Sequence, residues 1–294
     1  MAIVPDFDPT TPSIARVYDY LLDGKDNFAV DREVAQRMMA VAPLTAEVTR
    51  ENRQFLARTV AWAANRGITQ FIDLGCGLPT APNTHETARA VSPGARVAYL
   101  DNDAVVLGHL HALAAKGNPG VTVVDGDVRE VTAVLGAVAA GIDLSVPACL
   151  LMGFLLHFFA PDAARDLVAR YVAALAPGSY VVLSAGRADA EAAKAGFSTY
   201  SSGAAQVYNH SAPDFASFSA PWSWCRPAWS TPGSGARTGS RPCASGPATA
   251  RRSWASPVSA RSRDPRYDRS PRLTSQLSRV STIRPRRPPA ATRW

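Results

Sequence analysis

The chain has 294 residues, 47% of them apolar, enough to bury at least one sizeable core and too many for a peptide-like scaffold. Its net charge of +7 joins two unlike parts: residues 219–294 carry 15 Arg against only Asp264 and Asp268, a net of +13, whereas residues 1–218 are acidic at −6. Cys76, Cys149, Cys225 and Cys243 form no CxxC pair, the N-terminus MAIVPDFDPTTPS lacks a basic segment followed by an apolar run, and no stretch approaches the roughly 18 apolar residues of a membrane span. These features argue against a metal site, a disulfide framework, secretion and membrane insertion, and a reducing cytoplasm is the expected location.

The first 67 residues read as a helical cap. Thr11-Pro12 offers a capping hydroxyl and a proline at the first helical position, after which Ile14, Val17, Tyr18, Leu21 and Leu22 recur at helical spacing until Gly24. A second helix is predicted from Asp31 to Val41, closed by Pro43, and a third from Thr45 through Phe55, Leu56, Val60 and Trp62 to Gly67.

From residue 68 the texture changes. QFIDLG, RVAYLDN, VTVVDGD, ACLLMGFLL and SYVVLSAG each read as a buried strand, and helical patterns at Thr84–Val91, Asp103–Lys116, Arg129–Ala140 and Pro161–Leu175 separate them. Strands alternating with helices predict an α/β domain over 68–218, a doubly wound, mainly parallel sheet with right-handed crossovers.

Ligands of such sheets bind at the carboxyl ends of the strands, where this chain places Asp73-Leu74-Gly75-Cys76-Gly77, Asp101-Asn102-Asp103 and Asp125-Gly126-Asp127-Val128. Gly75 and Gly77 permit a sharp turn and close backbone approach, and Asp101, placed 24 residues beyond Gly77, can accept hydrogen bonds from both hydroxyls of a ribose. A nicotinamide dinucleotide would call for GxGxxG, but Thr80 stands at the third glycine and Pro79 before it removes an amide donor. Asp73 suits a cationic, amino-acid-bearing ligand better than a diphosphate. His85 belongs to a helix N-terminus, His109 and His111 lie two apart on different helix faces, and His210 occupies a loop within possible reach of the site.

The run IDLGCGLPT, followed by PNTHE, YLDND and GDVRE, resembles the class I S-adenosylmethionine-dependent methyltransferases. With the opening PSIARVYDYLLDGKDNFAVDR it is similar to the actinobacterial S-adenosyl methyltransferase family, once a domain of unknown function, over about Pro12 to Phe218. The resemblance implies a Rossmann-like fold with S-adenosylmethionine as cofactor. It puts Asp73, Gly75 and Gly77 beside the methionine part, Asp101 and Asn102 at the ribose and adenine edge, and Asp127 with Val128 in the adenine pocket. The cap would then act as a lid, with Tyr18 or Lys25 in contact with the ligand. His157, in GFLLHFF at the end of the fourth strand, is the candidate general base for a small-molecule acceptor whose identity, like the oligomeric state, the sequence leaves open.

Residues 219–294 read as a disordered Arg/Pro/Ser-rich tail holding five of the six Trp and 11 of the 23 Pro. Taken as a natural arm it would make this a nucleic-acid-binding protein, but basic arms usually mix Lys with Arg and carry few Trp. If residues 220–233 are written in G/C-rich codons, starting two bases later gives ALELVPPGVVDAR, a strand and turn similar to what the family carries at this point. The expectation is a displaced reading frame near Phe218, leaving five strands and a bare edge after SYVVLSAG, and either an active methyltransferase or a cofactor-binding protein without catalysis.

Overall fold

Ser13, rather than Thr11, opens the first helix. The Thr11 hydroxyl donates to Asp8 Oδ2 at 2.7 Å, while Ser13 adopts the extended cap conformation and its Oγ accepts from the Arg16 amide. The computed structural model describes residues 8–115, 117–186 and 191–218, together with the backbone of two strands at 223–225 and 276–282. Helices α1 (Ile14–Leu21), α2 (Ala29–Val41) and α3 (Thr45–Ala64) form the cap. Val17 and Leu21 of α1 pack on Val34, Ala35 and Met38 of α2 in a small core of their own.

Beneath this core lies an ionic knot. Asp31 is fully buried and its carboxylate accepts from the Ser13 amide at 2.9 Å, the Phe28 amide at 2.8 Å and Arg16 Nε at 2.8 Å. Arg16, itself buried, also donates to the Thr11 carbonyl and stacks over the Phe28 ring. A buried pair with this many hydrogen bonds fixes where the chain enters α1, because neither charge is open to solvent.

The α/β layer follows as β1 (Gln70–Leu74), α4 (Thr84–Val91), β2 (Arg96–Asp101), α5 (Ala104–Ala115), β3 (Val121–Asp125), α6 (Val131–Val138), β4 (Cys149–Gly153), α7 (Pro161–Ala173) and β5 (Tyr180–Gly186). Two further helices, α8 (Glu191–Gly203) and α9 (Ala212–Ser217), come after β5. The first five strands pair in parallel in the order β3-β2-β1-β4-β5. Both faces are covered, and neighbours in a strand serve opposite cores: Phe71, Val97, Leu151 and Val182 pack towards α3 and α4, whereas Ile72, Ala98, Leu150 and Val181 pack towards α6 and α7. That explains why these strands read as unbroken apolar runs instead of alternating ones.

The edge of β5 is not bare. Strand β7 (Gln276–Thr282) pairs antiparallel with all of β5, from Tyr180↔Thr282 to Gly186↔Gln276, and β6 (Ser223–Cys225) pairs with β7. The tail region therefore corrects the five-stranded expectation at these ten positions, giving the order β3-β2-β1-β4-β5-β7-β6. A sheet ladder is made of backbone groups, so a segment with no strand-like side-chain pattern can still close an edge. The remainder of the expected disordered tail lies outside the described residues.

Candidate active site

A cavity of about 790 Å³ runs along the carboxyl ends of β1, β2, β4 and β5, roofed by the cap and walled by α8. At its polar end the chain leaving β1 curls back so that the Gly75 and Cys76 amides donate to the Leu100 carbonyl at 2.9 and 3.2 Å. Gly75 and Gly77 have φ of +63° and +67°, and a Cβ on Gly75 would meet Leu155 Cδ1 at 2.9 Å, so both the turn and its closeness to the β4 exit require glycine. Asp101 Oδ2 accepts from the Gly77 amide at 2.9 Å, and its Oδ1 accepts from the Asn102 and Asp103 amides at 2.9 and 3.0 Å. Three of the carboxylate's roughly four lone-pair sites are thus taken, leaving room for one ligand hydroxyl where the sequence suggested two.

Asp73 is buried beside this loop and accepts from the Thr84 hydroxyl at 2.6 Å. Burial raises the carboxyl pKa of both Asp73 and Asp101, against the hydrogen bonds that lower it. Arg53, from α3, lines the same end, donates to the Thr80 carbonyl at 2.9 Å, and lowers the Asp73 pKa through its charge. Cys76 also lines the cavity, but burial and the two carboxylates push its thiol pKa well up, which keeps it protonated and unreactive.

The cap signature divides into structural and lining residues. Asp19 accepts from the Asp26 amide at 3.0 Å and Asn27 Nδ2 at 2.8 Å, and Asn27 also donates to the Gly24 carbonyl, so this part of the motif builds the turn after α1. Lys25 stands exposed on that turn and does not line the cavity, contrary to the lid expectation. Tyr18 does line it, with its hydroxyl donating to the Thr49 carbonyl at 3.3 Å and accepting from Asn52 Nδ2 at 2.9 Å. Asn52 Oδ1 in turn accepts from Ser184 Oγ at 2.6 Å, a chain that ties α1 and α3 to the end of β5. The Ser13 hydroxyl donates to Asp103, joining the start of α1 to the β2 exit at the rim.

The other end of the cavity is apolar. Strand β4 stops at Gly153, Phe154 follows with φ +51°, and its amide donates to the Ser184 carbonyl and hydroxyl, both at 3.1 Å. A left-handed phenylalanine is strained backbone held by its neighbours. His157 therefore lies beyond the strand, in a 3-10 turn at Leu156–Phe158, and not at the strand's end. Its ring is buried among Phe154, Phe158 and Phe197, and burial pushes its pKa down to about 3. Such an imidazole is neutral but a weak proton acceptor, which speaks against the general-base role expected of it. His210 does not line the cavity: it is packed beneath this turn, with Nε2 at 2.9 Å from the Leu156 carbonyl and its ring against Phe218.

Asp127 and Val128 are not brought to the cavity lining. Asp127 grips Arg129 through its side chain and accepts the Arg129 amide at 2.8 Å, while Val128 is buried and its carbonyl accepts from Tyr171 Oη at 2.9 Å. Among the sequence-derived positions, Tyr18, Asp73, Gly75, Gly77, Asp101, Asn102 and His157 do share the one cavity.

The sequence model of a family described as S-adenosyl methyltransferase matches residues 3–228. The chain belongs to that family. A candidate methyltransferase from Thermobifida fusca has 32% identity and a TM-score of 0.78, covering 96% of this chain and 98% of its own. A DUF574 family protein from Streptomyces avermitilis has 30% identity and a TM-score of 0.72, covering 75% of this chain and 87% of its own. No curated protein matches. The chain is thus a methyltransferase dependent on S-adenosylmethionine, and the resemblance seen in IDLGCGLPT and PSIARVYDYLL is borne out.

The polar end fits that cofactor: Gly77 faces open space, and the carboxylates and single guanidinium complement an ammonium, hydroxyls and a carboxylate. Sequence reasoning did not single out Arg53, although a basic residue on the cap helix facing the first strand end was there to be found. It also passed over Phe197 and Tyr200 on α8, whose EAAKAGFSTYSS has the composition of a helix.

The raised pKa values give a pH dependence for this methyltransferase. Each carboxyl holds its proton more tightly in the folded protein than in the unfolded chain, so the unliganded fold loses stability as the pH rises from the ordinary carboxylate range through the raised value. A cationic ligand favours the ionised form, so affinity for S-adenosylmethionine should fall as the pH drops through that same window. Calorimetric titration at pH 7.5 and near pH 5, in buffers of differing ionisation heat, is expected to show weaker binding and proton release at the lower pH.

Proposed function

We propose that this methyltransferase transfers the methyl group to a small-molecule acceptor bound in the cavity that also holds the cofactor. The observation that supports this most is the shape and zoning of the cavity. Its charged lining residues, Arg53, Asp73, Asp101 and Asp103, gather at the β1 and β2 exits, and the remaining volume beneath the cap is uncharged, mostly apolar and bordered by α2, α3 and α8. At about 790 Å³ it lies towards the top of the roughly 300–1,000 Å³ usual for small-molecule sites, which suits two ligands end to end.

In this reading Asp73 and Arg53 hold the two ends of the cofactor's amino-acid group, Gly75 and Gly77 allow its backbone-close passage, and Asp101 with Asn102 orients the nucleoside. The cofactor supplies a methyl group already activated by its sulfonium charge. What remains for the protein is alignment of the acceptor and exclusion of water, which the cap and α8 provide. No side chain lining the apolar end is available as a base, since His157 has a depressed pKa and burial keeps Tyr18 and Tyr200 protonated. Catalysis would therefore rest on proximity, with an acceptor that is nucleophilic without help from a protein base.

Calorimetry with S-adenosylmethionine and S-adenosylhomocysteine, followed by a methyl-transfer screen of small molecules, tests the proposal. Binding of both cofactor forms and transfer to a small acceptor supports it. Binding without transfer to any small acceptor, or transfer only to a nucleic acid or protein, overturns it. Among the described residues no helix is long and apolar enough to cross a membrane, and the location expected from cysteine usage stays the cytoplasm.

A further inference from the structure

Among the polar groups at the apolar end of the cavity, His157 has an orientation that is legible. The Gly186 amide donates to His157 Nδ1 at 3.4 Å, so in the neutral imidazole the proton resides on Nε2. His157 lines the cavity, and no described protein atom bonds Nε2. That N–H is a donor directed at whatever occupies the apolar end. The rings around it, Phe154 at 5.6 Å, Phe158 at 4.4 Å and Phe197 at 6.1 Å, offer edges and faces for a flat partner. Tyr18 does not compete as an anchor, because its hydroxyl is already engaged by Thr49 and Asn52. The charged side chains of the lining all belong to the cofactor end, so an ion placed among these rings would be desolvated without a counter-charge.

We propose that the acceptor is an uncharged aromatic molecule bearing an oxygen acceptor group, and that His157 selects it by donating a hydrogen bond from Nε2. The inference rests on the small-molecule reading above. It makes His157 a specificity-determining residue whose task is donation, the reverse of abstracting a proton.

Three probes of similar size test it on the full chain saturated with S-adenosylhomocysteine: 2-acetylnaphthalene, 2-ethylnaphthalene and 2-naphthoate, followed by calorimetry or fluorescence. The ketone should bind, the ethyl compound about tenfold more weakly for want of the hydrogen bond, and the carboxylate about 100-fold more weakly because its charge must be buried. His157→Leu should abolish the preference of ketone over ethyl compound, and His157→Gln, which keeps an N–H donor, should retain most of it. Unchanged affinity for S-adenosylhomocysteine in both variants shows that they are folded. Absence of ketone binding to the loaded protein, equal binding of the naphthoate, or a ketone preference that persists in His157→Leu would each overturn the proposal. Failure of S-adenosylhomocysteine itself to bind would instead strike at the underlying reading of the cavity.

Discussion

Asp31→Ala is expected to destabilise the protein by about 3–5 kcal/mol, seen as a lower denaturant midpoint, because it breaks a buried ion pair by removing one partner. Arg16 and Asp31 meet at 2.8 Å with side-chain exposures of 3% and 0%, so water cannot replace the lost partner. The same carboxylate also holds the Ser13 and Phe28 amides, which the substitution leaves with unsatisfied donors. Replacing both charges, Arg16→Met with Asp31→Leu, should recover part of the loss by removing the buried positive charge as well, but not all, since those amides stay unpaired. A double variant no more stable than Asp31→Ala would show that the ion pair is not the main term. Because Ser13 also bonds Asp103 at the rim, the single variant should loosen the cap over the site and weaken cofactor binding as well.

Asp101→Ala should weaken S-adenosylmethionine binding by about 100-fold, the order expected when a charge-assisted contact worth about 1.5–3 kcal/mol is removed from a buried site. Two effects combine. The ligand loses a carboxylate acceptor, and the Gly77 amide loses the bond that holds the glycine loop against β2. Asp127→Ala is the informative contrast, since the sequence places Asp127 in the adenine pocket whereas the structure commits it to Arg129 outside the lining. Its effect on affinity should stay within a few-fold. A loss at Asp127 comparable with that at Asp101 would restore the sequence-derived assignment.

Those two aspartates show where sequence was informative. Strand ends could be read from QFIDLG and RVAYLDN because both faces of the sheet are buried and the apolar runs stop where solvent begins, which located Asp73, Gly75, Gly77 and Asp101. Direction within a loop was not readable: Asp127 lies at a strand end too, but its own neighbour two residues on captures it. Lys25 failed for a similar reason, because Asp19 folds the turn that carries it away from the cavity. His157 was found among the lining residues, but a strand end in sequence does not reveal a 3-10 turn packed among aromatic rings.

The tail was the least legible part. Its Arg, Pro and Ser content hides the backbone pairing that β6 and β7 make. A displaced frame near Phe218 remains our proposal for its composition, and sequencing the gene there tests it: ALELVPPGVVDAR or its like in the frame two bases on is the expected result, and its absence would end the idea.

The packing of α2 against α8 carries a consequence for how this family changes. Gly196 lies so close to the end of α2 that a Cβ would meet Ala42 Cβ at 3.0 Å, and Gly203 would meet Val34 at 3.0 Å. These helices are far apart in sequence, wall the apolar end through residues such as Met38 and Tyr200, and share no residue with the carboxylates at the β1 and β2 exits. Divergence can therefore proceed at one end of the cavity while selection holds the other fixed. A single added methyl at residue 196 would press Ala42 back by a few tenths of an ångström, so the apolar end can be adjusted in small steps that leave the carboxylate end untouched.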